Sequence, residues 1–189
     1  MIVYLKMKPY LKEFLLGMET SDGEKLYGKE PIHIPPKDRL GLMIDMARRK
    51  PYGKIKPMTP SKNDLKSYLR VEIEPNPKIP HDDLRVAISE DKMAQIGKYI
   101  YNMFCAVAFD YVRQHLYWQN NTLPNNKPMK SLAYRSFIDD YQLWSAEEDS
   151  IRKAVDRDNR TLPFDKASIK SNKKENNWRF RPKNLPFQP

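Results

Sequence analysis

Lys153, Arg157 and Arg160 recur at i, i+4 and i+7 within "DDYQLWSAEEDSIRKAVDRDNR", so on a helix they lie along one side. Such a row suits phosphate oxygens or base edges of nucleic acid. From Arg160 to Pro189 the chain adds eight Lys or Arg against two acids, and Trp178, Phe180 and Phe187 interleave with Arg179, Arg181 and Lys183. Aromatic faces stack on bases while neighbouring cations follow the phosphates. The candidate contacts are Lys153, Arg157, Arg160, Lys173, Lys174, Arg179 and Arg181. Two plainer readings compete. Asp149 with Lys153, and Asp156 with Arg160, have the favourable i, i+4 order of ion pairs on a solvated helix. The aromatics of "NNWRFRPKNLPFQP" suit an extended arm that orders on contact with a neighbouring subunit.

Other chemistry is sparse. In "HDDLRVAISEDK", Asp82 and Asp83 precede a strand-like run and Glu90 and Lys92 follow it, an order similar to the acid, acid-x-lysine arrangement of metal-dependent nucleases. There two carboxylates hold Mg²⁺ and the lysine assists the attacking water. The spacing is tight, and Glu90 is better explained as a first-turn helix residue. His33, His81 and His115 are far apart, and no cysteine pair accompanies them, so zinc-site spacing is absent. The glycines at 17, 23, 28, 41, 53 and 97 are isolated and build no phosphate loop; no serine sits in a nucleophile elbow. Cys105, the single cysteine, stands among Phe104, Ala106, Val107 and Ala108 and reads as a core residue. The expectation is therefore no catalytic residue, no metal and no cofactor.

Composition agrees with a polyanion partner. The chain has 189 residues, a net charge of +10, 40% hydrophobic residues, and sixteen prolines against six glycines. That length suits one domain with a small appendage, and the charge favours nucleic acid, then an acidic membrane surface. The N-terminus lacks signal-peptide features, and no run approaches a membrane span, so an intracellular, soluble chain with no membrane partner is expected.

The elements that must carry these residues follow from periodicity. Residues 2–7 read as a strand; Pro9 ends it, and "YLKEFLLG" is a short strand or a helical turn. "SDGEKLYGKE" is turn chemistry, and "PIHIPP" an extended segment. Leu40, Met43, Ile44 and Ala47 have helical spacing, with Arg48-Arg49-Lys50 as its basic C-terminal end. Residues 51–64 read as a loop. "YLRVEIE" and "LRVAIS" are alternating strands expected to pair antiparallel. Ser89 is a candidate N-cap for a helix of roughly seven turns, over 90–119, with Met93, Ile96, Ile100, Met103, Phe104, Val107, Ala108 and Tyr111 on its apolar face. Met129, Leu132, Ala133, Ser136 and Phe137 mark another helix. A capping box of Ser145 and Glu148 starts a last one at Ala146, with Ile151, Ala154 and Val155 inward. Asp139-Asp140 and Glu147-Glu148 read as surface and dipole charges.

"WSAEEDSIRKAV" resembles the opening of a Myb/SANT-type repeat, a three-helix DNA- or histone-binding unit, over about a dozen residues. More widely, "VYLKMKPYLKEFLLG", "LYGKEPIHIP", "RLGLMI", "LRVEIE", "VAISEDKMAQIGKYIYNMF" and "SFIDDYQL…EDSIRKAVDRDNR" are similar to uncharacterised small proteins of Bacteroidales phages and integrating mobile elements. That resemblance implies a role on element DNA (transposition, replication or transcription control) in the cytoplasm of a bacterial host. The expected fold is α+β: a small antiparallel sheet packed on the long amphipathic helix (1–120), a helical hairpin of helix-turn-helix kind (121–160), and an extended basic tail (161–189). The expected function is non-catalytic nucleic-acid binding, with DNA favoured. The alternatives are a phage structural or assembly protein, located in the virion, that docks subunits or forms a homo-oligomer through its C-terminal arm, and a Mg²⁺-dependent nuclease.

Overall fold

The computed structural model describes residues 2–34, 38–49, 60–72, 87–122, 128–158 and 162. It is α+β, with a three-stranded sheet, a two-stranded ribbon and five α-helices. Among the described residues the chain forms two compact units: one from residues up to Met18 with Lys25–Tyr101, the other from Glu19–Glu24 with the residues from Asn102 on.

In the first unit, β1 (Ile2–Lys6) alternates outward and inward, burying Val3 and Leu5. Pro9 does not merely end β1. It occupies the first turn of α1 (Pro9–Gly17), where its missing N–H costs nothing and its fixed φ suits the helix. α1 buries Leu11, Phe14 and Leu15. The turn after it, whose residues 19–24 count with the second unit, needs left-handed backbone at Gly23 (φ 82°), where Thr20 and Glu24 bond across the bend. β2 (Ile32–His33) follows, then α2 (Arg39–Ala47), whose start is capped by Asp38 Oδ1 accepting the Leu40 N–H at 2.7 Å. A 3₁₀ turn at Asp64–Ser67 leads into β4 (Tyr68–Glu72).

The sheet departs from expectation. Its order is β1-β4-β2, with β1 antiparallel to β4 (Val3 opposite Val71) and β2 parallel to it (Ile32 opposite Val71), so it is mixed rather than antiparallel. Both edges of β4 are taken at Val71 and Glu72, so among the described residues "YLRVEIE" and "LRVAIS" do not pair with each other. Instead β5 (Ala87–Ile88) pairs antiparallel with β3 (Arg48–Arg49). The two arginines expected to end α2 as dipole cations are therefore ladder residues. Residues 50–59 and 73–86, including His81, Asp82 and Asp83, lie outside the described residues.

α3 (Glu90–Thr122) has 33 residues, about nine turns, and outruns the expected 90–119 at its C-terminal end. Its first part belongs to this unit. It buries Ile96 and Ile100, and the Lys6 N–H of β1 meets Met93 Sδ at 3.4 Å. Arg39 lies 5.3 Å from the centre of the Tyr99 ring. Burial and the neighbouring Asp38 charge push the Tyr27 phenol far up.

Glu30 ties the unit together. Its carboxylate accepts the Arg70 backbone N–H of β4 at 2.8 Å and pairs with Lys12 of α1 at 2.8 Å; Lys12 Nζ also donates to the Leu65 and Tyr68 carbonyls. Both side chains keep 16% exposure, so breaking the pair should cost less than the roughly 3–5 kcal/mol of a fully buried one. Glu30→Ala should lower stability by about 2 kcal/mol in urea unfolding followed by circular dichroism. An unchanged midpoint would contradict this role.

Candidate nucleic-acid interface

The hairpin carrying Lys153 and Arg157 is built on the second unit. There α3 buries Phe104, Cys105, Val107, Ala108, Phe109, Tyr111, Val112 and Leu116, and the position of Cys105 agrees with its reading as a core residue. α4 (Lys130–Asp140) buries Ala133, Tyr134 and Phe137. Met129 and Leu132, expected on its inner face, are instead exposed, since the helix is rotated toward 133, 134 and 137. Phe137 is the anchor: its ring centre lies 5.9 Å from Phe104, 5.2 Å from Tyr111 and 4.7 Å from Tyr141, within the range of favourable aromatic pairs.

The connector turns on Gln142, whose φ of 54° is left-handed, and is pinned by the fully buried Leu143. The Ala146 N–H bonds back to the Leu143 carbonyl, so residues 143–146 close their own turn. α5 (Glu148–Arg157) accordingly starts after Glu147, two residues later than the capping box at Ser145 implies. Ile151, Ala154 and Val155 are buried as expected, and Leu162 is buried beyond the helix. Trp144 is 78% exposed and adds nothing to this core.

The outer face of α5 is a network of ion pairs. Asp149 holds Lys153 at 2.5 Å and Arg152 through its Nη2 and, at 3.1 Å, its Nε. Bonds from Lys153 and then Arg152 hold the Asp149 carboxyl below its ordinary range, and Asp149 in turn raises Arg152. Arg135 of α4 pairs with Glu148 of α5, joining the two helices across the hairpin. The i, i+4 pairing weighed for Asp149 and Lys153 is thus formed, in water, where such pairs exchange readily. Arg157 is exposed at the end of the helix. Arg160, Lys173, Lys174, Arg179 and Arg181 lie outside the described residues, as does the pair Asp156 with Arg160.

Charge is uneven along the chain: residues 160–189 hold eight Lys or Arg against two acids, +6, and the preceding 159 residues carry the other +4.

Two polar features went unread in the sequence. Asp140, taken as a surface charge, accepts the Tyr111 hydroxyl at 2.5 Å, and burial together with that bond pushes the phenol far up. Tyr141 is pushed up to about 12, by burial and then by the Asp140 and Glu19 charges. Tyr111, His115 and Gln119 form an i, i+4, i+8 polar row inside the buried stripe of α3, and their spacing was the available signal. No group of His, Cys, Asp and Glu suited to a metal occurs among the described residues, and no described helix is long and apolar enough to cross a membrane. The sequence matches no protein-family model and no curated protein, and the fold matches no solved structure.

Phe137→Ala should cost about 3–5 kcal/mol of stability, because it empties the ring cluster under both helices of the hairpin. A loss under about 1 kcal/mol by thermal unfolding would mean that the hairpin is held elsewhere.

Proposed function

We propose that the protein binds nucleic acid without catalysis, DNA being the favoured form, with its cationic segments following phosphates beside the α4–α5 hairpin. One observation carries this reading: residues 160–189 hold +6 of the chain's +10 net charge, while the preceding 159 residues carry only +4. A charge excess that served only solubility has no reason to be so segregated. Trp178, Phe180 and Phe187, set among cations, add stacking surfaces. On the hairpin, Arg152 and Lys153 are exposed but already engaged by Asp149, so a phosphate must displace that carboxylate. The hairpin therefore contributes orientation more than affinity. The resemblance to small proteins of Bacteroidales phages and mobile elements supports a role for such binding on element DNA.

Fluorescence anisotropy with duplex DNA, single-stranded DNA and RNA tests the reading. In ~0.1 M salt, removing one cation that engages a phosphate should weaken binding by about eightfold. The four-site variant Lys173→Ala, Lys174→Ala, Arg179→Ala, Arg181→Ala should bind far more weakly than Lys153→Ala with Arg157→Ala. Asp149→Asn, which raises the net charge of α5 by one, should tighten binding by no more than about eightfold. Affinity unchanged in the four-site variant would overturn the reading. If removing residues 161–189 instead abolished self-association in light scattering without changing DNA affinity, the tail would be a subunit-docking arm.

A further inference from the structure

The polar row of α3 ends in a contact whose hydrogen bonds leave no freedom. Gln119 is 2% exposed, and its side chain grips the backbone of Met129, the N-cap residue of α4. The Met129 N–H reaches Gln119 Oε1 at 2.6 Å, and Gln119 Nε2 reaches the Met129 carbonyl at 3.2 Å. A backbone N–H can only donate, so the amide oxygen must face it, and this orients the whole amide. The second N–H of Nε2 then points at His115 Nδ1, 2.9 Å away. That nitrogen must accept. His115 is therefore held neutral, with its proton on Nε2.

We propose that His115, Gln119 and Met129 form a pH-sensitive latch: protonating His115 at Nδ1 sets donor against donor and releases the Gln119 grip on the start of α4. Rotating the amide to accept from the imidazolium does not rescue the contact. It would turn the NH₂ toward the Met129 N–H and leave the carbonyl of Met129 without that donor. No side chain of Met129 caps α4, so this grip and the Ala133 N–H on the Met129 carbonyl hold its N-cap residue. The surroundings agree. His115 is buried, 7% exposed, stacked 6.0 Å from Tyr111 and edge-on 5.4 Å from Trp118. Among the described residues, Asp140 of α4 is the charged group whose field acts on the ring and favours the cation. Tyr111 gives its proton to that same carboxylate, and Gln119 and Met129 face the ring uncharged. Burial outweighs both the Asp140 charge and a backbone hydrogen bond, each of which favours the cation, and the His115 pKa lies below its ordinary 6.5.

The sign follows from linkage. The unlatched histidine takes up a proton more readily than the latched one, so the latch is complete above the ordinary value and weakens as pH falls through the window between that value and the latched one. Within the window the ratio of latched to unlatched molecules should fall by up to about tenfold per pH unit.

Amide exchange in the full-length chain, read by NMR as protection factors between about pH 7.5 and 5, tests this. Protection at the Met129 amide should fall toward acid while the Val112 amide in α3 stays protected. In His115→Asn the side-chain Oδ1 stands in for Nδ1 as an acceptor that does not titrate, and Met129 protection should stay flat. The same acid loss in His115→Asn, or constant Met129 protection in the native chain, would overturn the latch. If His115→Asn does not fold, the native chain decides alone. The His115 ring and the Met129 amide should titrate with one shared midpoint below 6.5, and separate midpoints would overturn the proposal.

Discussion

From Asn102 on, α3 is buried over most of its circumference, and the second unit depends on that constraint. Phe104, Ala108, Phe109, Val112 and Leu116 supply the apolar contact, but Tyr111, His115 and Gln119 go inside with them. Buried polar groups are costly unless each finds a partner. Each does so: Tyr111 on Asp140, and Gln119 on both His115 and the Met129 backbone. These bonds also set where α4 begins and ends relative to α3, so the hairpin inherits its placement from the polar row as much as from the Phe137 cluster. The first unit solves a similar problem with Glu30, whose single carboxylate joins α1 and β4.

On this frame, electrostatics is local and nearly self-cancelling. Asp149, Arg152 and Lys153 satisfy one another, and so do Arg135 and Glu148, on surfaces where screening makes such pairs weak and exchangeable. A polyanion gains little from a face whose cations are already matched by acids. It gains much from segments where cations outnumber acids, and residues 160–189 carry +6 of the chain's +10.

Local pattern was legible before the structure where one element answered to one face. The periodicity of α3, the strand character of β1, the alternation of β4, and the seam of Ile151, Ala154 and Val155 all read directly. Strand partners did not, because a period of two specifies which side chains point inward but not which edge is occupied. β1 and β2 reach β4 across long sequence separations, so the nearest strand in sequence was displaced. Two-residue strands such as β3 carry no period at all, and basic residues after a helix read naturally as its end. Of the candidate contacts, the exposure of Lys153 and Arg157 was legible from helical spacing, while the pairing of Lys153 was one of two readings that only geometry could separate. Asp140 was misread because its partner sits 29 residues earlier, on another helix.

The proposal that most needs a test is that binding is driven by the cations of residues 160–189 rather than by the ion-paired face of α5. The most direct measurement is the slope of log Kobs against log salt concentration for the full-length protein on duplex DNA. Counterion release predicts a straight line with a slope of about −0.9 for each phosphate engaged, so five or more phosphates held by residues 159–189 would give a slope steeper than about −4. A slope near zero with measurable affinity, or no binding even in ~0.05 M salt, would contradict the account.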